Sequence, residues 1–288
     1  MMGKILKFEG VKGKDVYNPT GPLRSNDENY IIARVEERET NYQDSGYRPY
    51  SQFFVEKKDC WFPAKNFPIF SLEDPFKTYI GKEFVFGGVE IYGKPGKRKF
   101  RTVFFRGESI KDLKKFAVGP EMMKDIRIVD LFDGRIGVFT RPQGEKHQKG
   151  RIGFTVISKL EDLKEKNISQ AEIIKDDLES NEWEGVNGAK LLKSGKVAVL
   201  GHRASIDQEK RKKYSAMTFE LDPYTKTVEN FKVVAVRSDF PETLAKTPFL
   251  KDVVFPGELD YDYHLYAGLS DTSGGVKKID NPYNEDFM

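Results

Sequence analysis

Cysteine is nearly absent. Cys60 stands alone among 288 residues, which excludes an intrachain disulfide and a cysteine-based zinc site. Histidine occurs only three times, and no His/Asp spacing reads as a metal site. No stretch approaches the ~20 apolar residues of a membrane-spanning helix, and the opening MMGKILKFEG lacks the apolar core of a signal peptide. Neither a P-loop nor a GxGxxG turn is found. Lysine plus arginine (48) barely exceeds aspartate plus glutamate (45), so the chain carries no broad basic footprint for nucleic acid. A cytoplasmic protein without nucleic-acid or membrane partners is expected.

Aromatics and charges are plentiful. Aromatic residues make up 13 % and charged residues 32 % of the chain, a combination that argues against disorder and suits a polar cavity lined by rings. Most of the chain reads as short strands ending at tight turns. The exception is ISKLEDLKEKNISQAEIIKDDLE, residues 157–179, which reads as a helical patch, or with Asn167 and Ser169 in it only a short helix with a loop, lying outside the strands as a connection.

Five runs share one grammar of polar start, strand, turn and second strand with a polar end. They are VYNPTGPLRSNDENYIIARVEE, LEDPFKTYIGKEFVFGGVE, KDIRIVDLFDGRIGVFTRP, EGVNGAKLLKSGKVAVLGHRAS and LKDVVFPGELDYDYHLYAGLSD. Their turn markers Asp27, Gly81, Gly134, Gly195 and Asp260 are 54, 53, 61 and 65 residues apart, the period of a propeller blade. A β-sandwich would not require polar positions to match between units, and here they match. Before the turns stand Asn18, Asp74, Asp125 with Arg127, Asn187 and Asp252; the second strands end at Arg34 and Glu36, Glu90, Arg141, His202 with Arg203, and Asp271. Equivalent strand ends of blades meet at one mouth. The expected architecture is therefore all-β, a single five-bladed β-propeller spanning 1–288 with a central funnel-shaped site.

At these residues the chain resembles the five-bladed β-propeller phosphorylases of β-mannosides, including the mannosyltransferase-phosphorylases of β-1,2-mannan storage and their bacterial homologues. Asn18-Pro19, the IARVE strand from Ile32 to Glu36, Glu73-Asp74-Pro75, Lys124-Asp125, Arg141-Pro142, His202 and the LYAGLSD segment from Leu265 to Asp271 carry the likeness. The chain departs from it at Phe76, where arginine is usual, at Asn187-Gly188, and at Arg203 directly after His202.

The resemblance implies an inverting glycoside phosphorylase or glycosyltransferase acting on manno-oligosaccharides, with Asp74 as the general acid. A phosphorylase can dispense with a catalytic base because its nucleophile is already an anion, but it needs cations to hold that anion. Arg141, His202, Lys124 and Arg203 are the candidates. Asn18, Arg34, Glu36, Asp125, Asn187 and Asp271 are expected to bind sugar. No metal and no cofactor are implied; inorganic phosphate is the co-substrate and GDP-mannose an alternative donor.

Alternation along a strand makes further expectations. Glu73 should face away from Asp74 and be structural, Arg203 should be an entrance or supporting residue beside His202, and Pro75 should hold Asp74 extended. His147 reads as an exposed hairpin residue and His264 as part of the outer fold. Two other readings stay open. A hydrolase on the same fold would need a second acid near Asp74, from Glu36, Glu90, Asp125 or Asp271; a carbohydrate-binding propeller would need none.

Overall fold

A computed structural model describes residues 1–40, 44–144 and 149–288. Each of the five repeated runs forms an antiparallel hairpin. Three hairpins extend into separate four-stranded meanders. The first of these runs Glu73–Ile80, Glu83–Tyr92, Lys99–Gly107 and Lys114–Val118. The next runs Arg127–Asp130, Ile136–Thr140, Ile152–Ile157 and Glu172–Lys175, and the third Glu182–Leu191, Val197–Ile206, Lys212–Leu221 and Val228–Ala235.

The remaining nine strands form one sheet, and it has two parts. Lys14–Tyr17, Glu28–Glu37, Tyr50–Lys57 and Cys60–Pro63 make one meander, with Leu23–Ser25 beside Glu28–Glu37. Val254–Leu259, His264–Leu269 and Ser273–Lys278 make the other, completed by the early strand Lys4–Ile5. The two parts meet through the parallel pairing of Val16 with Ser273. The architecture is all-β and propeller-like.

Packing explains why the strand signal is a continuous apolar run more than an alternation. Ile136–Thr140 is buried at every position, because each sheet is covered on both faces by its neighbours. Between the first and second of the four-stranded meanders, Phe76, Val85 and Phe104 meet Ile126, Ile136 and Val138. Between the second and third, Phe139 and Phe154 meet Val199, Met217 and Phe219. Burying side chains of this size contributes about 1.5–3 kcal/mol each, so the stacked sheets carry the stability. The leading strands of the second to fifth hairpins lie against one another, which sets their polar entry residues side by side.

The helical patch is a short helix, but its end is a strand and not a connection outside the sheets. Only Leu160–Asp162 (a 3-10 turn) and Glu165–Ile168 are helical, and Glu172–Lys175 is the outer strand of its sheet. Leu160, Leu163 and Ile168 turn into the core. The following Glu172-Ile173-Ile174-Lys175 then pairs with the strand Ile152–Ile157, where edge pairing outweighs local helix preference. No helix is long and apolar enough to cross a membrane among the described residues.

Candidate active site

The residues at the mouth stand at strand ends and have left-handed backbone. Asn18, Asp74, Asp125 and Asp271 have φ of 49°, 48°, 58° and 56°. Asn and Asp are the non-glycine residues that tolerate this region best. The expectation that Pro75 holds Asp74 extended is therefore overturned. An extra residue is inserted between Glu73 and Phe76 relative to the partner strand, and the chain turns at Asp74 to accommodate the bulge.

The same bulge overturns the expectation for Glu73. Both acids turn onto one guanidinium: Arg34 donates to Asp74 Oδ1 at 3.1 Å and to Glu73 Oε1 at 3.0 Å. Asn18 Nδ2 donates to Asp74 Oδ1 at 2.6 Å. Asn18 fits only because residue 268 is glycine; a Cβ there would lie 1.7 Å from Asn18 Oδ1.

Arg34 is the hub of an acidic cluster. It also donates to Glu36 Oε2 at 2.9 Å and to the Tyr47 hydroxyl, and its guanidinium lies 4.8 Å from the Tyr17 ring centre. Tyr47 in turn bonds Glu73. Burial opposes the charge on Arg34, but Glu73 and its other acidic neighbours hold it firmly protonated. Burial pushes Glu73 up. Lys246 Nζ lies 2.9 Å from Glu36. Asp271 makes no hydrogen bond or ion pair with a described residue; burial, with Asp74 and Glu36 nearby, pushes it up to about 6 against the pull of Arg34.

These groups open on a cavity of about 520 Å3, whose wall includes Tyr17, Asn18, Arg34, Glu36, Glu73, Asp74, Lys124, Lys212, Tyr214 and Asp271. Lys124 sits 5.9 Å from the Phe100 ring centre. Neither Lys124 nor Lys212 has an ion-pair partner within 4 Å among the described residues.

Behind this wall lies a second cluster, built from the second and third of the four-stranded meanders. Arg141 Nη1 donates to Asp125 Oδ2 at 2.6 Å and lies 3.5 Å from His202 Nε2. His202 Nδ1 donates to Asn187 Oδ1 at 2.8 Å. The imidazole stacks behind Tyr214 and Phe255, with ring centres 5.5 and 5.0 Å away. Gly185 makes this possible, since a Cβ there would come within 2.7 Å of His202 Cε1 and 2.8 Å of Asp125 Oδ2. Although burial opposes ionisation of Asp125, Arg141 and the other cations around it bring it down to about 2. Burial holds His202 down to about 3.

Several expected roles need correction. His202 is fully buried and neutral at ordinary pH, so it offers an N–H or a lone pair and no positive charge. Arg141 is also buried, bonded to Asp125 beneath the cavity wall. Arg203 is not brought to the site: on the opposite face of its strand, it pairs with Glu182 at 2.8 Å and Glu184 at 3.6 Å. Asn187 supports His202 from below rather than lining this cavity. Glu90 is tied to Arg101 and Lys115 elsewhere, and Asp252 is exposed. His264 sits at a turn beside Asp260, at 3.2 Å. His147 lies outside the described residues. No group of three or more His, Cys, Asp or Glu side chains is arranged to hold a metal among the described residues.

Sequence reasoning missed Tyr47, Lys212, Tyr214 and Lys246. Lys212 lies in the run RKK, which reads as a solvated turn, and Lys246 in a segment without strand pattern. Neither carried a local signal.

Comparison with protein families matches residues 1–285 to the family described as a protein of unknown function, DUF1861. The structure is similar to that of MPT-4, a mannose phosphorylase from Leishmania mexicana in complex with phosphate ion. Identity is 32 %, covering 100 % of this chain and 93 % of that one, with a TM-score of 0.89. The chain belongs to this family. A second member, MPT-1, a GDP-Man-dependent mannosyltransferase from Leishmania mexicana, has the same identity, coverage and TM-score. A glycosyl hydrolase from Bacteroides ovatus, 12 % identical with a TM-score of 0.62 over 100 % of this chain and 96 % of that one, shares the fold alone. Comparison with curated proteins gives no match.

Proposed function

We propose that this family member is an inverting phosphorylase or mannosyltransferase of β-mannosides, acting on β-1,2-linked manno-oligosaccharides. We read its fold as one closed five-bladed propeller over residues 1–288. On this reading the nine-stranded sheet is two blades, and Lys4–Ile5 closes the last one. The observation that carries the reading is the pairing of Asp74 with free cations. Its carboxyl is presented to the same cavity as Lys124 and Lys212, whose ammonium groups have no ion-pair partner within 4 Å among the described residues.

In phosphorolysis, an oxygen of phosphate forms a bond to the anomeric carbon as the bond from that carbon to the bridging oxygen breaks. The electron pair stays on the leaving oxygen, which takes up the Asp74 proton through a sugar hydroxyl. Attack from the opposite face gives α-mannose 1-phosphate. Lys124 and Lys212 hold the phosphate, and Arg141 and Asp125 brace the wall from behind. Asn18, Arg34, Glu36 and Asp271 orient the sugar. No metal or cofactor enters; GDP-mannose is the alternative donor.

The test is to supply mannose 1-phosphate plus mannose, or GDP-mannose plus mannose, and measure phosphate or GDP release and oligosaccharide growth. No product from either donor, and none from manno-oligosaccharide with phosphate, refutes the reading.

One observation favours a hydrolytic alternative. Asp271, held near pKa 6 in the same cavity, is poised as a base for water. Mannose release that is independent of phosphate, and lost in Asp271→Asn, would select that alternative.

A further inference from the structure

A second cavity, of about 470 Å3, lies at the other end of the leading strands, bounded by the turns at Gly81 and Asp260 and by Tyr283 and Phe287 near the C-terminus. We propose that this rear cavity binds a phosphate-type oxyanion, held by Arg127, Lys77 and Lys190.

The charge arrangement is incomplete as it stands. Glu258 is the one carboxylate at the centre, and its oxygens are already used. One lies 2.8 Å from Lys77 Nζ and 3.7 Å from Lys190 Nζ, and the other accepts the Gly21 N–H at 2.9 Å. The nearby acids are committed to turns: Asp130 accepts the Gly81 N–H at 2.6 Å, and Asp260 the N–H groups of Asp262 and His264 at 3.0 and 2.7 Å.

Arg127 has no carboxylate in contact; Asp125 and Asp74 act on it only from further off. It is 3 % exposed and stacks 4.1 Å from the Phe76 ring centre. Its Nε donates to Asn187 O at 2.9 Å and Nη1 to Ile126 O at 3.0 Å. No acid lies within ion-pair distance of it among the described residues, and Nη2 makes no hydrogen bond. The buried Asn187 Nδ2 beside it is likewise without a partner.

A buried guanidinium with no carboxylate in contact is costly. Lys190 Nζ also donates to the Leu259 carbonyl at 2.5 Å, so an oxyanion entering the cavity would accept from Arg127 Nη2 and from the ammonium protons that Glu258 and Leu259 leave unused. Burial holds Arg127 down to about 10 and lowers Lys190, the direction expected of cations short of negative charge. The proposal is independent of the chemistry assigned to the front cavity, because no residue that contacts the oxyanion belongs to it.

The experiment is equilibrium binding of inorganic phosphate and, separately, of a hexose 6-phosphate to the full chain, with a crystal structure at saturating phosphate. Two phosphates per chain are expected, one of them at Arg127. Lys190→Met and Lys77→Met should each weaken the rear site about tenfold or more without changing the front one. Lys124→Met with Lys212→Met should do the reverse. Tighter binding of the hexose 6-phosphate identifies a monoester ligand; equal affinity identifies the free anion. The proposal is overturned if wild-type crystals show no oxyanion at Arg127, a readout that does not depend on any variant folding. It is also overturned if all phosphate binding disappears with Lys124 and Lys212.

Discussion

The two halves of the front site treat charge in opposite ways. Around Arg34, four carboxyl groups (Glu36, Glu73, Asp74 and Asp271) crowd one guanidinium, and burial pushes Asp271 and Glu73 up. Around Asp125, a single carboxylate is bonded to Arg141 with His202 and Lys124 nearby, and it drops to about 2 while His202 is held neutral. Asp271 and Glu73 thus hold a proton more readily than free acids do, and Asp125 less readily. Such an asymmetry suits a reaction that needs a proton on one side of the sugar and an anion on the other, as the proposed phosphorolysis does.

The largest test of that contrast removes the proton donor. Asp74→Asn keeps the bonds from Asn18 and Arg34 but cannot deliver a proton. Turnover with mannose 1-phosphate should fall about a hundred- to ten-thousand-fold, with the melting curve little changed. Wild-type turnover in this variant would make Asp74 a turn residue.

The next strike falls on the cation-rich half. Arg141→Met leaves Asp125 charged and buried without its 2.6 Å partner, which should cost about 3–5 kcal/mol of stability. Denaturant melts at neutral pH read this directly. A loss below about 1 kcal/mol would show that Asp125 does not depend on Arg141.

A pH series sharpens the comparison further. Asp271, at about 6, binds its proton more tightly folded than unfolded, so its ionisation costs stability as pH rises from ~4 through 6. Asp271→Asn cannot ionise, so its stability advantage over wild type should grow across that window and then level off. A constant difference from pH 4 to 7 would contradict the raised value.

The smallest effect is expected at Arg203. Its pairs with Glu182 and Glu184 are partly solvated and lie on the opposite face of the strand from His202. Arg203→Ala should cost about 0–1 kcal/mol and leave kcat/KM for phosphate unchanged. A selective loss of phosphate use would return Arg203 to the site.

Much of the fold was legible in the chain. The five hairpins, their turn markers and the polar residues at their entries follow from periodicity of local signals, and turn chemistry at residues such as Gly134 and Gly195 is a property of one short stretch. Asn18, Arg34, Glu36, Asp74 and Asp271 were named from register alone and meet in one cavity. The unreadable part lay in how side chains were aimed. One inserted residue at Asp74 reversed the face of Glu73, because a bulge breaks the alternation on which strand reasoning depends.

Charge state was equally out of reach of the sequence. His202 was identified by position, yet its neutrality follows from burial behind Tyr214 and Phe255, residues on other strands. Lys212 and Lys246 acquire meaning only because distant segments fold over the mouth. Hydrophobic pattern and turn residues thus determined the strands, since those forces act between neighbours along the chain. The tertiary structure decided which acids share Arg34, which cations stay unpaired and which histidine loses its charge, since solvation and Coulomb forces act between neighbours in space.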